Sequence, residues 1–178
     1  MTRDQLQAYF KLGSIRNTNR VLKALAPYLL TIREGYQSIY YLNSEGRAYV
    51  ECEKVRKKAS NVKHTVMRND FWIYNGCPPD WRNEVKVSDG KVIAVVDAMF
   101  SKSLQTHFLE VDHAQTMREN RVKIERFKEL QERGLIEKTL GHFPVITWLT
   151  TTENRRKQLV EASKPLPRVK VYTMEDIR

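Results

Sequence analysis

No apolar run in this 178-residue chain approaches the roughly 20 residues that a helix needs to cross a bilayer. The opening residues, MTRDQLQAYF, hold no secretory apolar region. A soluble, cytoplasmic protein with no membrane partner is therefore expected. Cysteine is scarce: Cys52 and Cys77 stand alone, which excludes a disulfide scaffold and a zinc site built on paired cysteines. His64, His107, His113 and His142 show no ligand spacing either, so each reads as a residue of the fold. Glycine and proline are sparse, no segment repeats, and hydrophobic residues make up 41%, enough for a packed core. What the chain has in excess is positive charge. Its 31 Lys and Arg against 21 Asp and Glu leave a net charge of +10, which favours a polyanionic partner through counterion release.

Residues 4–12, DQLQAYFKL, bring Leu6, Tyr9, Phe10 and Leu12 near one helical face, with Thr2 as N-cap. Gly13 ends that helix and Ser14 caps a second one. In the second, Ile15, Thr18, Val21, Leu22 and Leu25 turn inward, while Arg16, Asn17, Asn19, Arg20 and Lys23 face out. Pro27 stops it. LLTIREGYQSIYYL reads as a β-hairpin turning at Glu34-Gly35-Tyr36-Gln37. The stretch from Ala48 to about Lys58, closing on KVRKK, reads as another helix, and Ala59-Ser60-Asn61 as a domain boundary. Helix, turn, helix and basic hairpin is the order of a winged helix-turn-helix, with Ser14 to Ala26 as the recognition helix. In that role Asn17 and Asn19 suit adenine, Arg16 and Arg20 suit guanine, and Lys23 and Arg33 suit phosphates, with Gln37 on the hairpin completing the set. Double-stranded DNA is the expected partner, and paired half-sites imply a homodimer. A solvated helix face or a protein-interaction module carries similar residues, and those readings stay open.

Residues 61–178 read as α-β-β-β-α-β-α. A helix over 62–74 precedes the Pro78-Pro79 break. Strands follow over 81–87, 92–100 and 106–111, the first two joined at Asp89-Gly90. A long helix over 116–133, a buried strand over 145–150 and a helix over 152–162 complete the order. The tail from Lys164 is extended, as an edge strand or a loose arm. Trp72, Trp81, Trp148, Phe71, Phe108 and Phe143 read as core aromatics. Asp97 falls near one strand end, Glu110 and Asp112 at the end of the next, and Glu84 on the strand before. Glu110 and Asp112, two apart, share one side of the sheet. Oxygen ligands of this kind suit Mg²⁺ or Mn²⁺, with Asp97 and Glu110 as the candidate ligands. Lys123, with Arg121, supplies positive charge from the following helix. If the chain is an enzyme, Asp97, Glu110, Asp112 and Lys123 form its catalytic set; otherwise no cofactor is expected.

Several segments carry a likeness to a known family: DQLQAYFKLGSIRNTNRVLKAL, IYYLNSEGRAYV, HTVMRND, VVDAMF and FLEVDHAQ, followed by Lys123 and Phe127. The sequence resembles the replication-relaxation family of plasmid, phage and mobile-element proteins, from residue 4 to about 160. The resemblance implies a winged helix over 1–60 fused to a PD-(D/E)XK nuclease-like domain over 61–178, an α/β (α+β) chain with a restriction-endonuclease-like αβββαβ half. It also implies a role in replication, DNA topology or transcriptional control. Three positions depart from that pattern: Val96 stands where proline precedes the aspartate, Asp112 where an active enzyme carries lysine, and His113 where arginine is common. Without the lysine, transition-state charge loses an electrostatic partner. That favours a non-catalytic domain for dimerisation or DNA contact over a metal-dependent endonuclease or nickase, and ordinary surface carboxylates remain a third reading.

Overall fold

A computed structural model describes residues 1–55 and 61–178. The chain divides into two compact units, Met1–Ile73 and Tyr74–Arg178. The boundary expected at Ala59-Ser60-Asn61 lies largely outside the described residues, as does the end of the basic KVRKK run.

In the first unit, α1 (Arg3–Tyr9) begins with a capping box in which Thr2 and Gln5 exchange side-chain and backbone hydrogen bonds. Gln5 is buried, and its amide also donates to the Val66 carbonyl at 2.8 Å and to Asp70 at 2.7 Å. This fastens α4 (Val62–Tyr74) to α1, so almost all of α4 belongs to the first unit. Ser14 caps α2 (Ile15–Ala24) by accepting from the Asn17 N–H. The inward stripe of α2 is narrower than expected: Thr18 and Leu22 are buried, whereas Ile15 and Leu25 are exposed because they sit at the helix ends, beyond the packed turns. Strands β1 (Leu29–Glu34) and β2 (Gln37–Leu42) pair as the expected antiparallel hairpin, turning through Gly35 at φ 58°.

The helix expected from Ala48 to Lys58 is displaced. Asn43 accepts the Gly46 N–H at 2.7 Å and starts α3 (Ser44–Tyr49) earlier, while Glu51 at φ 52° ends it. Residues 52–55 have no regular structure. Helix α3 packs so closely on the turn at Ala26–Tyr28 that a Cβ on Gly46 would lie 2.3 Å from the Tyr28 carbonyl oxygen.

The second unit holds a five-stranded mixed sheet in the order β3 (Arg82–Ser88), β4 (Ile93–Lys102), β5 (Gln105–Asp112), β6 (Val145–Thr150), β7 (Val169–Thr173). The first three strands are antiparallel; β5, β6 and β7 run parallel. Strand β6, VITWLT, is buried throughout, as a central strand covered on both faces requires. Ile124, Phe127 and Leu130 of α5 (Met117–Glu132), Ile136 of α6 (Leu135–Leu140) and Leu159 of α7 (Glu153–Ala162) pack with Phe108, Ile146 and Trp148 of the sheet. The expected order of elements is present, with two refinements: α6 was not expected, and the tail is the edge strand β7. Among the described residues, no helix is long and apolar enough to cross a membrane.

Candidate functional site

Two groups of sequence-selected residues sit in separate units. In the first unit, the outer face of α2 exposes Arg16, Asn19, Arg20 and Lys23, and the hairpin exposes Arg33 and Gln37. Asn19 and Gln37 line one groove with Tyr36 and Tyr40; Asn19 and Lys23 line a second with Thr31 and Tyr40. Helix and hairpin therefore present side chains to common space, with Asn19 on both grooves. Asn17 differs from its neighbours. Its amide donates to the Leu12 carbonyl at 2.9 Å and accepts from Arg20 at 2.9 Å, so it holds the turn between α1 and α2 and steadies Arg20. Tyr36, fully exposed at the hairpin tip, was not among the selected residues. Only its place beside Gly35 in the turn could have pointed to it.

In the second unit, Asp97, Glu110 and Lys123 meet at one cavity of about 730 Å³, which Lys91, Arg126 and Phe127 also line. Asp97 lies one residue short of Ala98, where the β4–β5 ladder ends at its pairing with Leu109. Beyond that point the Asp97 carboxylate accepts the Val111 N–H at 2.7 Å, a side chain taking a donor that a backbone carbonyl of β4 does not reach. Glu110 projects from β5 towards α5, where Lys123 donates to its Oε2. Only 1% of the Glu110 side chain is exposed, and its Oε1 meets no donor among the described residues.

Burial pushes the Glu110 carboxyl up to about 8, against the pull of Lys123 and with help from the Asp97 charge. Lys123 is raised as well, because Glu110 and Asp97 together outweigh the effect of its burial. Burial thus favours the protonated form of Glu110, and Lys123 and Asp97 act on it in opposite directions. Asp97 and Glu110 together offer the carboxylate oxygens that a hard divalent cation takes, with water in its remaining positions. No group of three or more His, Cys, Asp or Glu gathers for a metal among the described residues.

Asp112 is placed apart from this cavity. It accepts from Arg155 at 2.6 and 2.9 Å, from Asn120 at 2.8 Å and from Thr150 at 2.8 Å, joining β5, β6, α5 and α7. Burial raises its pKa, but these donors outweigh that and leave it below the usual range. Asp112 thus ties strands to helices and does not line the cavity, a placement its spacing from Glu110 did not reveal. Arg121 lines, with Arg118, an adjoining groove that shares Arg126 and Glu129 with the cavity, and Glu84, at φ 57°, is exposed on the edge strand. His107 contacts the Thr147 hydroxyl at 3.1 Å and stacks on Phe100. Burial, with the charges of Lys170 and Lys102, pushes it down to about 4. His142 accepts the Thr106 N–H at 2.9 Å.

A model of the replication-relaxation family matches residues 1–146. No curated protein and no solved structure matches the chain.

Proposed function

The chain belongs to the replication-relaxation family, with a role in the replication of mobile elements, and on that premise we propose that it binds duplex DNA as a winged helix and carries a nuclease-like second domain. In this reading α2 enters the major groove, the hairpin β1–β2 is the wing, and a homodimer spans paired half-sites. The observation that carries it is the meeting of Asn19, Lys23 and Gln37 on the grooves that flank α2 and the hairpin, with Arg16 and Arg20 exposed alongside. Arginine and asparagine read base edges, and lysine holds phosphate. The experiment is selection of fragments from a pool of host-element DNA at fixed salt, followed by affinity measurement with a variant carrying alanine at Arg16, Asn19 and Arg20. Each base contact contributes about 1–3 kcal/mol, so the folded variant loses sequence preference; enrichment equal to that of the parent overturns the reading.

A second reading rests on the convergence of Asp97, Glu110 and Lys123 in one cavity, a pattern expected of a metal-dependent nuclease. Lys123 reaches Glu110 from α5 and supplies the positive charge that Asp112, two residues along β5, does not. Asp97 and Glu110 would hold Mg²⁺ or Mn²⁺, and the ion when bound supplies Lewis-acid chemistry at a phosphodiester. Supercoiled plasmid incubated with either metal decides it. Nicking that is lost in both Asp97→Ala and Glu110→Ala establishes an enzyme. No nicking with either ion leaves the domain a non-catalytic scaffold.

A further inference from the structure

We infer that the cavity of the second unit is a binding site for single-stranded DNA, with one or two nucleotides laid between β4 and α5. The inference deepens the reading of this cavity as a nucleic-acid site, and it stands apart from duplex recognition by α2.

The lining joins two kinds of surface that a nucleotide needs. Ile93 and Val95, on one side of β4, are 46% and 54% exposed, an aliphatic strip at the end of a strand whose alternate residues, Ala94 and Val96, are buried. Exposed aliphatic residues of this kind leave apolar area in water unless a flat ligand covers it. Exposed cations, Arg126 and Lys91, line the same cavity, as does one exposed carboxylate, Glu129. Arg126 follows Lys123 by one turn of α5, and Lys91 enters from the β3–β4 turn. Neither Arg126 nor Lys91 has an ion-pair partner among the described residues.

Lys91 is held at the rim by its surroundings. Asp89 accepts the Lys91 N–H at 3.0 Å and the Val92 N–H at 2.8 Å, and Arg133 at the end of α5 pairs with the same carboxylate. Lys123 is ion-paired with Glu110, which leaves Lys91 and Arg126 as the cations of the lining for a phosphate chain. A volume of about 730 Å³ admits one or two nucleotides. The paired and stacked bases of a duplex offer no face to the aliphatic strip, whereas an unpaired base does.

The test uses the full chain in chelator, so that neither metal binding nor cleavage enters the result. Binding of a short labelled oligothymidylate is followed by anisotropy across a salt series, beside a duplex selected by the parent protein. Both charge reversals are at surface positions, and circular dichroism checks the fold. In a Lys91→Glu, Arg126→Glu variant, oligonucleotide affinity is expected to fall by about tenfold or more. The log–log salt slope should become shallower by about 0.7 per lost phosphate contact, so by about 1.4 for two. A variant with serine at Ile93 and Val95 is expected to weaken binding several-fold with no change of slope. Duplex affinity stays within about twofold in both. Oligonucleotide binding unchanged in the folded charge variant, or lost instead on substitution of Arg16, Asn19 and Arg20, overturns the inference. Failure of duplex binding in the parent counts against the winged helix alone.

Discussion

Glu110→Gln separates the energetics of the cavity from its chemistry. The wild-type carboxyl is buried, has one oxygen without a donor and faces Asp97, so its pKa is pushed up to about 8 from an ordinary 4.5. A folded-state pKa above the unfolded value means that the folded chain binds the extra proton. The stability this confers is fully present below about pH 4.5 and is lost as pH rises through about 8. Each pH unit inside that window costs up to about 1.4 kcal/mol. Several kcal/mol therefore separate the two ends, reduced to the extent that Lys123 follows the ionised carboxylate. Glutamine keeps the shape of the protonated acid and cannot ionise. In urea unfolding across pH, the variant and parent should agree below about pH 4.5, separate progressively from there to about pH 8 with the variant the more stable, and run parallel above it. Parallel profiles across that window would show that folding does not raise the Glu110 pKa and would refute the account of the buried acid. A divalent ion that replaces the proton should stabilise the parent more as pH rises, and should leave the variant unmoved.

Three further outcomes follow from geometry already described. Asp112→Ala strands the Arg155 guanidinium and should cost about 3–5 kcal/mol in chemical denaturation. Asp97→Ala, which removes one side-chain acceptor from the Val111 N–H, should cost only about 1 kcal/mol. Equal losses from these two would contradict the separation of a structural carboxylate from a site carboxylate. Gly46→Ala meets the Tyr28 carbonyl at 2.3 Å and should lower stability by about 1–3 kcal/mol, whereas an alanine that raises the melting temperature would show that α3 does not pack there. Gln5→Leu keeps the size but strips the donors to Val66 and Asp70; a loss of about 1–3 kcal/mol is expected, with faster hydrogen exchange in α4 as the specific readout.

The regular elements were legible where a single local signal decided them. Ser14 and Thr116 accept N–H groups at the starts of α2 and α5, Gly35 turns the hairpin, and alternation along β4 marks its two faces. Helix α3 was misplaced because Asn43 and the close approach of Gly46 to Tyr28 decide its start, and the second of these is a tertiary contact. The convergence of Asp97 and Glu110 could be read from adjacent strand ends, and Lys123 from its place on the next helix. The role of Asp112 could not. Its partners Asn120, Thr150 and Arg155 are 8, 38 and 43 residues away, and nothing local distinguishes a carboxylate that holds a guanidinium from one that holds a metal. Asn17 shows the same limit on a smaller scale: its outward place on α2 suggested a base reader, but the bond to Leu12 depends on how the chain turns at Gly13.

The bond from the Val111 N–H to the Asp97 carboxylate gives the protein a built-in reporter. The amide proton and nitrogen of Val111 feel directly whatever Asp97 holds, whether a cation, a phosphate neighbour or nothing. One backbone resonance of the second unit can therefore be followed during titration with metal, oligonucleotide or duplex. Occupancy of the second unit becomes visible without labelling the ligand and without waiting for a product.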